Sequence, residues 1–169
     1  QAKTSSGIES TAAFVVDADL AGVKKSAPIA SLGLQAAPLM NVSLEAVIIA
    51  DENRLANSDQ DEAIIRGLCR VALVGAARET GIASAAFDLA REYAENRTAF
   101  GKPIAHFQGL AFLITDMATT VEIMRCAVAR AASAFDEGED KAISIAAMAI
   151  AECHEGAMFV TNNAVQVLG

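Results

Sequence analysis

The stretch FQGLAFLITDMATTVEIMRCAVARAASAF, residues 107–135, repeats apolar residues in steps that alternate between three and four positions. This apolar seam consists of Phe107, Leu110, Ile114, Met117, Val121, Met124, Val128, Ala131 and Phe135. Such heptad spacing is typical of a helix that packs nearly parallel or antiparallel to its neighbours in a bundle. The stretch therefore predicts a long helix whose seam faces a bundle core.

Helical periodicity also surrounds this stretch on both sides. It predicts a first helix over residues 61–96 and a third over residues 141–168, with a break at Gly101-Lys102-Pro103 and a turn at residues 136–140, where Gly138 ends the middle helix. Three long helices with short connections predict an antiparallel bundle. Because such bundles usually contain four helices, we expect three of the four here and a chain that is part of a longer protein.

The first third of the chain has a different pattern. Residues 11–17 and 41–49 are short runs of apolar and β-branched residues that predict strands, two of them within the second run. Pro28, Gly33 and Pro38 punctuate the stretch between the runs, and residues 51–60 form a polar connector. The pattern predicts an α+β chain, with a domain boundary between residues 56 and 57.

Composition and charge restrict the classes of function. The chain has 169 residues, 53% of them hydrophobic and 20% charged, which favours a folded core over disorder. The net charge of −8 argues against a nucleic-acid partner, which requires a basic face. The longest apolar run, residues 142–151, is shorter than the roughly 20 residues that a membrane span needs, so we expect no transmembrane segment.

The three cysteines, Cys69, Cys126 and Cys153, have spacings that fit neither a zinc site nor a CxxC motif. They predict free thiols in a reducing compartment. We therefore expect a protein of the cytoplasm, or of the mitochondrial matrix in a eukaryote, rather than a secreted one. The sequence gives no reason to expect a metal site.

The most specific segment is YAENRTAFGKPIAHFQ, residues 93–108. It resembles the motif Y-A-x-x-R-x-x-F-G-K-P-I-x-x-F-Q of the FAD-dependent acyl-CoA dehydrogenase family. The matching residues are Tyr93, Ala94, Arg97, Phe100, Gly101, Lys102, Pro103, Ile104, Phe107 and Gln108. The resemblance continues through residues 116–118 and 164–169 and through residues 14–23, 32–34, 44–47 and 52–55 upstream. It implies that residues 1–56 are the end of a middle β-domain, like a β-barrel or β-sandwich, and that residues 57–169 are an incomplete C-terminal helical domain.

The resemblance also implies an activity. Family members remove the α-proton of an acyl-CoA thioester with a glutamate base and transfer the β-hydrogen as hydride to FAD, which gives a trans-2-enoyl-CoA. An electron-transfer flavoprotein then accepts the electrons. Because FAD lies across a subunit interface in the family, we expect a homodimer or homotetramer.

The resemblance assigns candidate cofactor residues. The residue that matches Arg97 reaches the pyrophosphate of the neighbouring subunit's FAD, where a guanidinium can form two charge-assisted hydrogen bonds. The full set of expected cofactor contacts is Arg97, Phe100, Phe107, Gln108, Gln166, Leu168 and Gly169. Considered without the resemblance, Arg97 would be a surface salt bridge, the phenylalanines core residues, and the final Val-Leu-Gly a helix cap.

No catalytic base is expected in this chain. The family's glutamate usually follows the segment that ends here at Gly169, and the alternative position in a minority of members is Val71. Arg70, one residue earlier, is a candidate substrate contact. We expect the 169-residue chain alone to be inactive.

The chain also departs from the family pattern in three places. Gln35 replaces an arginine, residues 56–62 replace a glycine-rich turn, and the charged pair Arg78-Glu79 interrupts a small, apolar stretch. These departures keep two alternatives open. One is a non-catalytic scaffold or interaction subunit of the same family, and the other is a related flavin-dependent acyl-CoA oxidase.

Overall fold

Three long helices dominate the computed structural model, which describes residues 13–33, 35–55 and 61–169. They are α1 (Asp61–Asn96), α2 (Gln108–Asp136) and α3 (Ala142–Leu168). Each helix begins and ends within about one residue of its predicted bounds. The middle helix stops where Gly138 adopts a φ of +70°, a left-handed conformation that glycine reaches at little cost. The predicted helical bundle is confirmed.

The predicted seam of α2 forms the centre of the core. Met117, Val121, Met124, Ala131 and Phe135 are buried, and the other seam residues are partly buried. On α3, small residues face this seam and bring the two helices close together. A Cβ atom added at Gly156 would lie 2.8 Å from the Met124 sulfur, so a larger residue here would require the Met124 side chain to shift.

α1 packs on the other two helices through small residues and a few polar contacts. Its buried positions recur every three to seven residues and comprise Leu73, Ala76, Thr80, Ala83, Ala90 and Ala94. The Thr80 hydroxyl donates to the Cys153 sulfur of α3 at 3.6 Å, and the Arg125 guanidinium of α2 donates to the Ser84 hydroxyl at 2.7 Å. The core of the bundle is therefore built mainly from alanine, with methionine filling its centre.

The direction of the helices determines which termini lie together. Arg70 near the start of α1 stacks on Phe135 near the end of α2, whereas Ser84 further along α1 bonds to Arg125 earlier in α2. α1 and α2 are thus antiparallel, and the short turn at residues 137–141 reverses the chain again into α3. One end of the bundle, here the hairpin end, holds residues 94–110 and 164–169. The opposite end, the turn end, holds residues 66–74 and 130–141.

Among the described residues of the first third, fewer strands form than predicted. β1 (Val23–Lys25) pairs antiparallel with β2 (Val42–Leu44), and Val23 lies opposite Leu44. The chain divides into two compact units, Gln1–Ile64 and Ile65–Gly169. The predicted domain boundary falls among residues 56–60, outside the described residues, and stays a prediction.

Two predicted strands are wrong within the described residues. Residues 47–49 form no strand, because Ala46 adopts a φ of +50° and bends the chain away from the ladder directly after β2. In the run at residues 11–17, Phe14 forms only an isolated bridge with Arg54, and residues 11 and 12 lie outside the described part. An apolar β-rich run becomes a strand only where another segment completes its hydrogen bonds.

α3 is long and apolar enough to cross a membrane by length and composition alone. The core helix of a soluble protein meets the same criterion. One face of α3 is buried, with Ala146, Ala149, Cys153, Gly156 and Val160 along it. The expectation that the protein lacks a transmembrane segment stays a prediction.

Candidate functional site at the hairpin end

A tight β-hairpin joins α1 to α2 and carries the most specific sequence motif. β3 (Thr98–Ala99) pairs antiparallel with β4 (Lys102–Pro103), and Ala99 lies opposite Lys102. The two residues between the strands, Phe100 and Gly101, have φ angles of +52° and +82°. Two central residues with positive φ are the requirement of a type I′ turn, whose twist matches that of the strands. The hairpin is fixed at its base by a hydrogen bond from the Ile104 amide to the Arg97 carbonyl at 2.8 Å.

Phe100 stands at the tip of this hairpin in an unusual environment. Its side chain is 97% exposed, although it is one of the most apolar residues of the motif. The left-handed conformation is rare for a residue with a bulky side chain and is strained. The Phe100 ring meets the Phe107 ring edge-on, with centroids 6.2 Å apart and planes at 86°. A residue with a strained backbone thus carries an exposed aromatic side chain.

Arg97 lies at the base of the hairpin, just after the last residue of α1. Its side chain is exposed, and among the described residues it has no ion-pair or hydrogen-bond partner. Three other arginines of the bundle pair with carboxylates: Arg91 with Glu95, Arg125 with Glu122, and Arg130 with Glu139. The Arg97 guanidinium therefore keeps its donors available for a ligand.

The remaining predicted cofactor residues lie at the same end of the bundle. Phe107 is half-buried directly before α2, and Gln108 is the exposed first residue of that helix. Gln166 and Leu168 occupy the last turn of α3, where both are exposed. Gly169 follows with a φ of +113°, and its amide donates to the Val165 carbonyl at 3.2 Å. The fold thus gathers all seven predicted cofactor residues at the hairpin end.

Arg70 is the exception, because it lies at the turn end. Its guanidinium carbon is 5.2 Å from the centroid of the Phe135 ring, and that of Arg66 is 5.5 Å from the same ring. Arg70 lines an open groove of about 310 Å³ between α1 and α2, together with Leu73, Val74, Ala77, Val128, Ala132, Phe135 and Asp136. Arg70 and Arg97 are separated by 27 residues of nearly continuous helix, which corresponds to about 40 Å at 1.5 Å per residue.

Comparison with known proteins identifies the family. Residues 62–169 match the family model described as acyl-CoA dehydrogenase, C-terminal domain. The chain belongs to the acyl-CoA dehydrogenase family. The resemblance that the motif at residues 93–108 indicated is therefore confirmed.

The relatives include dehydrogenases and reductases. The chain is 35% identical to cyclohex-1-ene-1-carbonyl-CoA dehydrogenase of Geobacter metallireducens, over 96% of this chain and 43% of that protein. It is 34% identical to the caffeyl-CoA reductase-Etf complex subunit CarC of Acetobacterium woodii, over 98% of this chain and 44% of that protein. The chain thus spans less than half the length of these members of the acyl-CoA dehydrogenase family.

Solved structures show the same fold. Butyryl-CoA dehydrogenase from Megasphaera elsdenii superimposes with a TM-score of 0.85 at 30% identity, over 98% of this chain and 43% of that one. The structure of PigA with FAD and proline superimposes with a TM-score of 0.83 at 25% identity, over 94% of this chain and 41% of that one. The family, together with the FAD-bound structure of PigA, implies a flavin cofactor.

The hairpin end fits one part of a flavin dinucleotide. A diphosphate needs a cation with unoccupied donors, which Arg97 supplies, and a planar ring system needs exposed aromatic surface, which Phe100 supplies. The described residues offer one side of such a site.

Sequence reasoning missed the role of Lys102 within the motif. Its ammonium nitrogen lies 4.4 Å from the centroid of the Phe107 ring and donates to the His106 carbonyl at 3.3 Å. The motif match included Lys102, but spacing alone gives no information about which neighbour its side chain contacts. The same limit applies to Arg66, whose place above Phe135 depends on the packing of α1 on α2.

Proposed function

We propose that the full-length protein is an FAD-dependent acyl-CoA dehydrogenase, which converts an acyl-CoA thioester to a trans-2-enoyl-CoA. The observation that carries this proposal is the hairpin end, where an exposed Arg97 without a partner among the described residues stands beside an exposed and strained Phe100. A site of this kind fits a ligand that is both anionic and aromatic. When bound, FAD supplies the electron acceptor that the oxidation requires and that no amino-acid side chain provides.

The residues of this chain hold the cofactor rather than carry out the chemistry. The Arg97 guanidinium forms charge-assisted hydrogen bonds with the pyrophosphate. Phe100 and Phe107 offer apolar ring surface, and the side-chain amides of Gln108 and Gln166 offer donors and acceptors for polar groups of the cofactor. Leu168 and Gly169 end α3 at the same place, where a glycine allows close approach of the backbone.

The distance between Arg97 and Arg70 supports a homo-oligomer, a dimer or tetramer. Arg70 and Arg97 are about 40 Å apart along α1 by its rise per residue, which favours contacts with two different active sites. We propose that Arg97 contacts the FAD of a neighbouring subunit, whereas Arg70 contacts the acyl-CoA substrate of its own. A monomer would leave each site incomplete.

The catalytic base comes from outside residues 1–169 in this proposal. Position 71 carries valine, which is exposed and cannot accept a proton, so the first turns of α1 supply no base there. The chain alone therefore positions the cofactor and substrate without removing the α-proton. Loss of a general base typically lowers a rate by about 10²–10⁴-fold.

The proposal includes the electron-transfer partner and the compartment. CarC, one relative, is named as a subunit of a reductase-Etf complex, and we propose an electron-transfer flavoprotein as the acceptor here. The three cysteines are free thiols. Free thiols fit the cytoplasm, or the mitochondrial matrix in a eukaryote.

One observation favours the second candidate, a non-catalytic scaffold subunit. The unusual Arg78-Glu79 pair is accommodated on α1, where Glu79 lies 3.4 Å from the His154 ring of α3. Glu79 thus contacts another helix and none of the predicted cofactor or substrate residues. An acyl-CoA oxidase is the third candidate and differs in its reaction with oxygen.

The test is to purify the full-length protein, determine its flavin content, and follow dye reduction with a series of acyl-CoA substrates. A dehydrogenase binds flavin and reduces the dye. Flavin binding without reduction of any dye supports the scaffold, and rapid hydrogen peroxide formation in air supports the oxidase. Residues 1–169 alone serve as the control, and turnover by this chain would contradict the placement of the base.

A further inference from the structure

Lys102 connects the two aromatic residues of the hairpin end to the backbone. It lies in β4, and its ammonium group touches two neighbouring residues that directly precede α2. The nitrogen is 4.4 Å from the centroid of the Phe107 ring and 3.3 Å from the His106 carbonyl oxygen. A cation at this distance from a ring face is attracted by the ring quadrupole, and the hydrogen bond to His106 fixes the position of the ammonium group.

The Phe107 ring in turn is the aromatic neighbour of Phe100. The two rings meet edge-on at 6.2 Å, and Phe100 is otherwise exposed, at 97%. An exposed phenylalanine exchanges between rotamers unless a neighbour restricts it. Lys102, held by the His106 carbonyl, therefore contacts Phe107, and Phe107 contacts the exposed Phe100.

The register of the hairpin also fits a direct role for Lys102 in binding. Lys102 lies opposite Ala99, and Arg97 lies two residues before Ala99 on the same strand path. Because side chains alternate along a strand, Arg97 and Lys102 belong to the same face of the hairpin. Two cations on one face of a chain with a net charge of −8 could both bind a diphosphate. The contacts of Lys102 with Phe107 and His106 favour the indirect role.

We infer that Lys102 is a positioning residue of the cofactor site: its ammonium group holds the Phe107 ring, and through it Phe100, in the orientation that flavin binding uses. This inference rests on the proposed function and extends that function by assigning a role to Lys102, which is not one of the seven predicted cofactor contacts.

The experiment is a double-mutant cycle in the full-length protein. The dissociation constant of FAD is measured by fluorescence titration of the apoprotein for wild type, Lys102→Met, Phe107→Leu and the double variant. We expect Lys102→Met to weaken binding about three- to fivefold, the effect of one partly exposed cation–π contact. In the Phe107→Leu background the same substitution is expected to have no further effect, because the ring that it positions is absent.

Two matched variants complete the cycle. Lys102→Arg keeps a cation above the ring and is expected to bind FAD within about twofold of wild type. Lys141→Met removes an exposed lysine at the turn end and is expected to leave the dissociation constant unchanged. The thermal midpoint of each apoprotein shows whether any variant has lost its fold.

The outcomes separate this inference from the proposed function. If Lys102→Met weakens binding by the same factor in both backgrounds, Lys102 binds the cofactor directly and the positioning role is wrong. If Lys102→Met binds FAD as wild type does while Arg97→Ala binds it weakly, only the inference about Lys102 fails. If Arg97→Ala also binds FAD normally, the cofactor site itself is misplaced.

Discussion

At the turn end, Arg130 donates two hydrogen bonds to Glu139, at 2.7 and 2.8 Å, and Phe135 is only 5% exposed. At the hairpin end, Arg97 has no such partner among the described residues, and Phe100 is 97% exposed. In the turn between α2 and α3, glycine (Gly138) adopts the left-handed conformation. In the hairpin between α1 and α2, Phe100 adopts it as well as Gly101. Both connections reverse the chain between two helices, but only the turn between α2 and α3 places glycine alone in the left-handed conformation and pairs its arginine with a carboxylate.

The contrast between the two ends supports our proposal that the hairpin end binds a cofactor at a cost in stability. In the turn at residues 137–141, the hydrogen bond from Arg130 holds the pKa of Glu139 below its ordinary value of 4.5. Glu139 of this turn thus has a charged partner, Arg130. At the hairpin end, Arg97 has no charged partner among the described residues and the Phe100 ring is exposed, which is the arrangement expected of a ligand site.

The largest expected effect concerns the two phenylalanines. Phe135→Ala is expected to destabilise the apoprotein by about 3 kcal/mol, because it removes a buried ring at the junction of α1 and α2. Phe100→Ala is expected to change the stability by no more than about 0.5 kcal/mol. Urea unfolding of the full-length apoprotein, followed by circular dichroism, measures both. Equal losses of stability would remove the distinction between the two ends.

The next effect concerns the two arginines. Arg97→Ala is expected to weaken FAD binding by about 1.5–3 kcal/mol, the value of a hydrogen bond to a charged group. Its thermal midpoint as apoprotein is expected to stay close to that of wild type, since alanine is well tolerated at a helix end. Arg130→Ala is the matched control at the turn end and is expected to retain flavin. Flavin content after dialysis reports the result, and a wild-type content in Arg97→Ala would contradict the assignment.

A smaller effect concerns the two left-handed residues. Phe100→Asn creates an Asn-Gly turn, which type I′ hairpins prefer, and is expected to stabilise the apoprotein by about 1 kcal/mol while it weakens FAD binding. Gly138→Ala is expected to destabilise by about 1 kcal/mol, because alanine is strained at a φ of +70° although nothing lies near its Cβ. Thermal midpoints of the apoproteins test both signs. A loss of stability in Phe100→Asn would show that the ring supports the hairpin.

The smallest effect is a pH dependence at the turn end. Because the folded-state pKa of Glu139 is lowered, its contribution to stability is present above pH 4.5 and is lost as the pH falls below that value. We expect wild type to be slightly more stable than Glu139→Gln at pH 7, and the difference to vanish in more acidic solution. The difference is small because both partners are exposed. A difference that is constant from pH 7 to pH 3 would show that the ion pair is not its source.

The predictable part of the fold depends on local patterns. The bounds of α2 follow from the heptad seam between Phe107 and Phe135, and the end of α2 from Gly138, so each could be predicted from neighbouring residues. The strand predicted at residues 47–49 failed because strands depend on a partner segment, and the left-handed Ala46 turns the chain away from one. Residues with a helical period find their hydrogen bonds within four positions, whereas strands do not.

The candidate site divides in the same way. The motif at residues 93–108 was sufficient to select Arg97, Phe100, Phe107 and Gln108 as candidate cofactor residues, and residues 164–169 to select the remaining three. The cofactor contacts themselves stay predictions. The sequence could not show that Arg70 lies at the opposite end of the bundle, since that depends on the direction of α1 relative to α2.

By itself the sequence determined the three helices, the family and the residues of the hairpin motif, because each depends on residue types at fixed short spacings. Only the tertiary structure decided that residues 97–108 and 166–169 lie at one end of the bundle, because two chain reversals bring α1, α2 and α3 together there. It also decided that Phe100 is exposed and strained, and that Lys102 lies above the Phe107 ring. Exposure and contact are properties of packing between segments, and no single stretch of sequence contains them.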